Sequence, residues 1–313
     1  MAYRKRAVRK GGNRAAVSVI SIIAAIVALM FGGKYLSEQA APSTPVHLPK
    51  DGKTMTVQFI DMGQADSTLI LLPDGEVMLI DAGGNASADA LAGYLRETGI
   101  EKIDYLVGTH PHEDHIGGLD KVIDSFKIGK IYLPKVDDTQ VPTTQTYEDV
   151  LSAIDDKGLT VTKGQGGVSV KRTDSLQISL IAPNSGKYAG LNSYSIAVKL
   201  SYGERSFLIT GDAEADSEKE MLEKFDVKAD VLKCGHHGSS TSTGAAFLKA
   251  VSPRYAVLSC GADNKYGHPH KETLQRLTKA GCEIYRTDED KTITATCDGS
   301  EIFFETNGKS LAP

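Results

Sequence analysis

Thr109-His110-Pro111-His112-Glu113-Asp114-His115 packs three imidazoles and two carboxylates into one short turn. Such a group is poor core material, because every buried polar side chain needs a partner. It is good material for a metal cage. Neutral imidazole nitrogens and hard carboxylate oxygens suit zinc or manganese. At this spacing His110 and His112 can serve one ion while Asp114 and His115 serve the next, which is how two ions are held a few ångströms apart. Solvated loop histidines are the bland alternative. Two more clusters follow over a hundred residues downstream, Gly235-His236-His237-Gly238-Ser239 and Tyr266-Gly267-His268-Pro269-His270, so that seven of the eight histidines are clustered. Only a fold that gathers distant loops at one edge could unite them.

The intervening chain predicts such a fold. Met55–Ile60, Ser67–Leu72 and Glu76–Ile80 are short β-rich runs divided by turn signals such as Pro73-Asp74-Gly75. A helical pattern at Ser87–Thr98 precedes an apolar strand at Tyr105–Val107 that runs into the first histidine cluster. Strands at Lys130–Leu133, Leu176–Ala182, Ser195–Ser201 and Arg205–Thr210 alternate with helices at Tyr147–Asp156 and Asp216–Lys224. The second half repeats the style, with strands Val231–Lys233 and Tyr255–Ser259 and helices Thr243–Val251 and Lys271–Lys279. This order predicts two mixed sheets packed face to face with helices outside. In such layers chemistry gathers beyond the strand ends, and each histidine cluster directly follows a strand. Near the C-terminus, Cys282–Thr287 and Thr292–Cys297 could form a hairpin around Asp288–Lys291 with Cys282 opposite Cys297. The four cysteines show no metal-binding CxxC spacing, and although an exported domain permits a disulfide, two free thiols are the plainer reading.

The N-terminus is set apart. Six basic residues from Arg4 to Arg14 precede an uncharged apolar stretch, Ala15–Gly33, long enough to cross a bilayer. The basic flank belongs inside, which sends the rest outward. A cleaved signal peptide is the rival reading. The expected organisation is a basic cytoplasmic tail (1–14), a transmembrane anchor (15–33), a proline-rich linker (34–54) holding the lone solvated His47, and a catalytic domain (55–313). The protein is expected at the cell membrane as a single-pass chain, or secreted if the segment is cleaved. Residues 1–34 carry seven of the 35 Lys/Arg and no acids, leaving 28 bases against 40 acids beyond, a balance of −12. No basic groove is evident, so the outer domain is not a general polyanion sink.

His110-x-His112-x-Asp114-His115, together with the downstream pieces, resembles the metallo-β-lactamase fold superfamily. The resemblance implies a four-layer αββα fold, class α/β, here preceded by one transmembrane helix. It also implies two divalent ions, zinc or manganese, held by His110, His112, Asp114, His115, Asp212 and His236. Asp212, in Ile209-Thr210-Gly211-Asp212-Ala213-Glu214, matches the aspartate that bridges the ions, and His236 the late histidine that completes the second position. A helix N-cap is the alternative for Asp212. Asp81, in Ile80-Asp81-Ala82-Gly83-Gly84, matches the strand-end aspartate that holds the histidine loop by hydrogen bonds. One departure stands out: no histidine lies between His115 and His236, and Asn192 occupies the slot of a usual histidine, as a weak ligand or as an open position. The segments Phe59–Ser67, Leu191–Ser195, Leu232–Ser239 and Asn264–Pro269 resemble the extracytoplasmic domain of ComEC-type competence proteins. Those channels cross the membrane many times, and this sequence shows one candidate span, so it is not expected to form a DNA pore by itself.

The implied function is a membrane-anchored hydrolase of phosphodiesters, a nuclease related to competence DNA uptake with DNA among its candidate substrates. Asp114, His268 and His237 are the catalytic candidates, with His268 and His237 placed to protonate a leaving oxygen. Ser239, Asn192 and Tyr266 are the substrate-binding candidates. His270 reads as a helix-opening residue and Lys233 as a strand-end structural charge. The alternatives are a cell-envelope phosphoester hydrolase acting on groups such as phosphorylcholine, and a non-catalytic binding module stabilised by metal.

Overall fold

The computed structural model describes residues 51–313. The tail, the anchor segment, most of the linker and His47 lie outside the described residues. Among those described, no helix is long and apolar enough to cross a membrane.

Strands β1 (Met55–Phe59), β2 (Thr68–Leu71) and β3 (Val77–Ile80) form an antiparallel meander. Helix α1 (Ala88–Glu97) carries the chain to β4 (Lys102–Val107), parallel to β3. The one-turn α2 (Glu113–Ile116) and then α3 (Leu119–Ser125) lead to β5 (Lys127–Pro134), and α4 (Gln145–Asp156) leads to β6 (Val161–Gly164). A second sheet starts with antiparallel β7 (Ser169–Arg172), β8 (Leu176–Ala182), β9 (Ala197–Tyr202) and β10 (Arg205–Ile209). It continues in parallel through α5 (Ala215–Lys224), β11 (Val231–Lys233), α6 (Ala245–Val251), β12 (Tyr255–Leu258), α7 (Lys271–Lys279) and β13 (Glu283–Arg286). After the short α8 (Thr287–Asp290), β14 (Thr292–Cys297) and β15 (Ile302–Gly308) return to the first sheet. The strand orders are 15-14-1-2-3-4-5-6 and 13-12-11-10-9-8-7.

Three apolar clusters show how the layers pack. Phe59, Ile70, Met78 and Val107 of the first sheet share one core with Ile178, Val198, Phe207 and Val257 of the second, so the two sheets lie face to face. The outer side of the first sheet packs Leu69, Leu79 and Leu106 against Leu91 and Leu95 of α1, Val122 of α3 and Val150 of α4. The outer side of the second packs Leu208 and Leu232 against Met221 of α5, Phe247 of α6 and Leu277 of α7. The central strands, such as β2, β3 and β11, are therefore buried on both sides. That explains why Leu69–Leu72 and Met78–Ile80 read as continuous apolar runs rather than as alternation.

The expected C-terminal hairpin is corrected by the structure. Glu283–Arg286 pairs in parallel with β12 in the second sheet, while Thr292–Cys297 pairs with β1 in the first. The turn that reads as a hairpin tip is instead α8, a crossover between the sheets. Cys282 and Cys297 are thereby separated, and all four cysteines are free. The sequence alone does not announce α2, α3, β6, β7 or β15. These are short or edge elements with too little periodicity to register.

Candidate metal centre

The carboxyl ends of β3 and β4 in the first sheet, and of β10, β11 and β12 in the second, open onto one edge. Asp81 immediately follows β3 with a left-handed backbone, φ 60°. Its carboxylate accepts hydrogen bonds from the Thr109 N–H (2.7 Å), the Thr109 hydroxyl (2.7 Å) and His115 Nδ1 (2.8 Å). The strained conformation is held because three donors from the loop after β4 converge on it. His115 therefore carries its proton on Nδ1 and turns Nε2 toward the centre.

Asp212 arrives from the end of β10 through Gly211. That glycine has φ 52°, and a Cβ there would lie 3.0 Å from Ser195 and Thr109 side-chain atoms. Only glycine gives both the left-handed turn and the close approach. The Asp212 N–H donates to Ser195 Oγ (2.9 Å). Its carboxylate faces four imidazoles, with Oδ1 3.2 Å from His115 Nε2 and Oδ2 3.8 Å from Nε2 of His110, His236 and His237. The N-cap of α5 is Glu214, so Asp212 is not a capping residue.

Two groups of donors flank Asp212. On one side His110 Nε2 and His112 Nδ1 face each other at 3.0 Å. On the other, Asp114, His115 and His237 place one ligand atom each within 4.8 Å of one another. His237 Nε2 lies 3.2 Å from Asp114 Oδ2. Of the two late histidines it is His237, rather than the expected His236, whose ring nitrogen falls in one group with Asp114 and His115. Both residues sit in left-handed backbone (φ 52° and 54°) within the turn His236–Gly238, and it is the second ring that is carried inward. His236 is the more exposed ring: its Nε2 lies 3.8 Å from Asp212 Oδ2, and its Nδ1 lies 3.3 Å from Asn192 Nδ2 and 3.4 Å from Glu214 Oε1.

The residues fit divalent cations. His115 Nε2, Asp212 Oδ1, Asn192 Oδ1 and Asp66 Oδ1 are buried and make no hydrogen bond. Each orphaned buried polar atom costs about 1–3 kcal/mol. Converging imidazole lone pairs and carboxylate oxygens need a proton or a cation between them. The protonation pattern says the same. Burial opposes charge on His115 and His237, yet Asp212 and Asp81 hold His115 well above the ordinary histidine range, and Asp212 and Asp66 raise His237 to about 10. Burial and the neighbouring His115 push His110 well below that range, and burial lowers His112 as well. Asp114 and Asp212 are held below the usual carboxylate range by the surrounding histidines despite their burial.

A cleft of about 530 Å³ opens over these groups, lined by Gln64, His112, Glu113, Asp114, Asn192, Asp212, His236, His237, Lys265, Tyr266 and His268. Of the expected substrate-binding residues, Asn192 and Tyr266 line it. Ser239 does not: it is 3% exposed, and its hydroxyl is engaged with Thr241 Oγ1 at 3.1 Å. His270 caps α7 and accepts from the Ser240 N–H at 2.9 Å. His268 is fixed by Gln64. The Gln64 Oε1 accepts from the Gly261 N–H (3.0 Å), which turns its Nε2 amide toward His268 Nδ1 (3.3 Å). Nδ1 is thus the acceptor and Nε2 keeps the proton. Burial and the adjacent His237 and His236 lower His268 to about 4, so it meets a ligand as a neutral N–H donor. Gln64, Asp66, Glu113 and Lys265 carry no chemical role in the sequence reading. Gln64 and Asp66 lie in a quoted motif, but nothing local shows that β1 and β2 bring them under the histidine loops.

Residues 60–262 match the model of the metallo-beta-lactamase superfamily. The chain belongs to that superfamily. This metallo-β-lactamase superfamily chain is also 33% identical over 256 residues to ComE operon protein 3 of Bacillus subtilis, covering 76% of this chain and 32% of the relative. It is 28% identical over 247 residues to competence protein ComA of Neisseria gonorrhoeae, covering 78% and 32%. It therefore spans about a third of the length of these relatives. Among solved structures, the diiron β-hydroxylase CmlA of Streptomyces venezuelae shares the fold with a TM-score of 0.50 at 14% identity, covering 78% of this chain and 53% of that one. The chain is thus a superfamily member with a candidate His/Asp metal centre, similar to part of these competence proteins.

Proposed function

We propose that this protein is a membrane-anchored, extracytoplasmic phosphodiesterase, a nuclease related to competence DNA uptake, that works with two divalent ions, zinc or manganese. The observation that carries the reading is the pair of donor groups on either side of Asp212, open to a cleft with room for substrate. His110, His112 and Asp212 would hold one ion, with Asn192 Oδ1 beside them as a weak donor or as the edge of an open position. Asp114, His115, His237 and Asp212 would hold the other. Bound there, the cations supply Lewis acidity, acidifying a water and neutralising charge on a phosphoryl group.

The remaining work falls to the chain itself. Asp114 keeps its charge and orients what lies between it and His237. His268 presents a neutral Nε2–H as hydrogen-bond donor to a leaving oxygen, with Gln64 holding the tautomer. Tyr266 is 54% exposed at the cleft mouth and stacks on His268 at 5.6 Å between ring centroids. Lys265 Nζ lies 5.1 Å from the Tyr266 ring centroid. An ammonium over that ring disfavours a quaternary ammonium ligand there and favours an anionic group beside a flat one, which supports a nucleic-acid phosphodiester. The acidic balance of the outer chain favours the second reading, a cell-envelope phosphoester hydrolase, since a polyanion gains little from such a surface. The twin ligand sets supported by Asp81 and Asn192 argue against a binding module that keeps metal only for stability, because structural sites close their coordination and do not open onto a cleft.

The full-length chain, stripped of metal and reloaded with zinc or manganese, should be offered single-stranded DNA, duplex DNA, RNA, bis-p-nitrophenyl phosphate and a phosphorylcholine ester. Metal-dependent cleavage of the nucleic acids supports the proposal. Turnover of the choline ester alone would move the function to the envelope, and no turnover of any would remove the enzyme.

A further inference from the structure

Asp66 and Lys233 are two buried charges beside the centre that the proposed chemistry leaves unused. Lys233 ends β11 with its side chain fully buried, and Nζ donates to Asp66 Oδ2 at 2.6 Å and to the Cys234 carbonyl at 3.2 Å. Asp66 lies between β1 and β2, and its backbone spans the site. Its N–H donates to the Asp114 carbonyl (3.0 Å), and its carbonyl accepts from the Gly83 N–H (2.8 Å). The other carboxylate oxygen, Oδ1, lies 3.2 Å from His237 Nδ1, which also lies 3.0 Å from the Ser259 carbonyl. Both neighbours of Nδ1 are acceptors, so Nδ1 must carry a proton. The opposite nitrogen, Nε2, then faces Asp114 Oδ2 at 3.2 Å and Asp212 Oδ2 at 3.8 Å.

We propose that Asp66 and Lys233 form a positioning pair that holds the ring of His237 with Nδ1 turned to Asp66 and the Ser259 carbonyl, so that Nε2 is the nitrogen presented to the second cation position. The division of labour follows from the donors available. The Lys233 ammonium anchors Asp66 at 2.6 Å, and the anchored carboxylate stands 3.2 Å from Nδ1 beside the Ser259 carbonyl, so the ring is braced on its Nδ1 side by a buried ion pair and a backbone acceptor. A carboxylate behind a ligating histidine is a recurrent way to tune a metal site. Here Asp81 does this for His115 from the first sheet, and Asp66 with Lys233 does it for His237 across the join between the sheets.

This inference rests on the metal-dependent reading, and the test separates the two: a wild-type chain that binds no metal defeats that reading, whereas metal binding indifferent to the pair defeats only this one. The full-length chain and the double variant Asp66→Asn/Lys233→Met, which removes both charges together and so leaves no unpaired ion, should be compared for zinc affinity by chelator competition. The metal-free melting temperature serves as the control for folding. The expected result is an unchanged first equivalent, a second equivalent bound about 10–100-fold more weakly, and a melting temperature close to wild type. Nitrogen-15 histidine spectra of the zinc-loaded wild type should show the His237 proton on Nδ1. Equal affinity for both equivalents in the double variant, or a wild-type proton on Nε2, overturns the proposal. Should the double variant not fold, the wild-type spectrum decides alone.

Discussion

Metal uptake should release protons, and unequally at the two positions. A histidine must give up its proton before it can ligate. His110 and His112 are held below the ordinary histidine range, so at neutral pH they are already free of it. His115 lies well above that range and His237 near 10, each held there by carboxylates that outweigh burial. The ion between His110 and His112 should therefore bind with no proton release near pH 7.5, and the ion between Asp114, His115 and His237 with about two. Two protons per ion give an apparent affinity that rises about 100-fold per pH unit, roughly 10⁴ between pH 6.5 and 8.5, while the other position stays flat. The linkage has an opposite sign in the metal-free chain. A histidine raised to about 10 contributes stability that is fully present below its unfolded value near 6.5 and is lost as pH rises through 10. The metal-free fold should thus weaken over the pH range in which the loaded fold strengthens. Calorimetric zinc titrations in buffers of different ionisation enthalpy count the protons directly, and His237→Ala should release one fewer. Equal release by the two equivalents, or none by either, would refute the reasoning.

Three further outcomes are expected. His112→Ala and Asp212→Ala should each lose metal by elemental analysis, Asp212→Ala the more because it faces both donor groups; retention of full metal content would remove these residues from the centre. His268→Ala should keep its fold and metal but lose roughly 10²–10⁴ in turnover on a natural diester, and less on a p-nitrophenyl ester whose leaving group needs little help; equal losses on both substrates would make His268 structural. Glu218 on α5 accepts from the Thr243 and Gly244 N–H groups, and burial outweighs these bonds to push its carboxyl up to about 7. Its contribution is therefore fully present below its unfolded value of 4.5 and lost as pH rises through 7, about 3 kcal/mol in all. In denaturant titrations Glu218→Gln should gain about that much relative to wild type between pH 4.5 and 8, and a pH-independent difference would sink this assignment.

Much of this architecture was legible because its signals are local. The apolar runs from Met55 to Ile80 and the strand before His110 carry their own periodicity and turn residues, and the histidine clusters follow strands, so a shared sheet edge could be inferred. What was not legible is non-local. Which of His236 and His237 turns inward depends on two successive left-handed residues, a conformation that no local propensity announces for histidine. Lys233 reads as a strand-end structural charge, but its partner Asp66, 167 positions away in sequence, is not legible from the sequence. The apparent hairpin at 282–297 failed for a related reason, since strand propensity does not say which sheet a strand joins. Ser239 has the right type and spacing for an oxygen-binding donor, but Thr241, two residues on, engages its hydroxyl first.

The most direct test of the account is the position of the ions themselves. Crystals of the zinc-loaded protein, measured at the zinc absorption edge, should give two anomalous peaks, one between His110 Nε2 and His112 Nδ1 and one among Asp114, His115 and His237, with Asp212 touching both. A second peak bound by His236 in place of His237 would contradict the assignment of the ligands. No peak within reach of Asp212 would contradict the metal centre altogether.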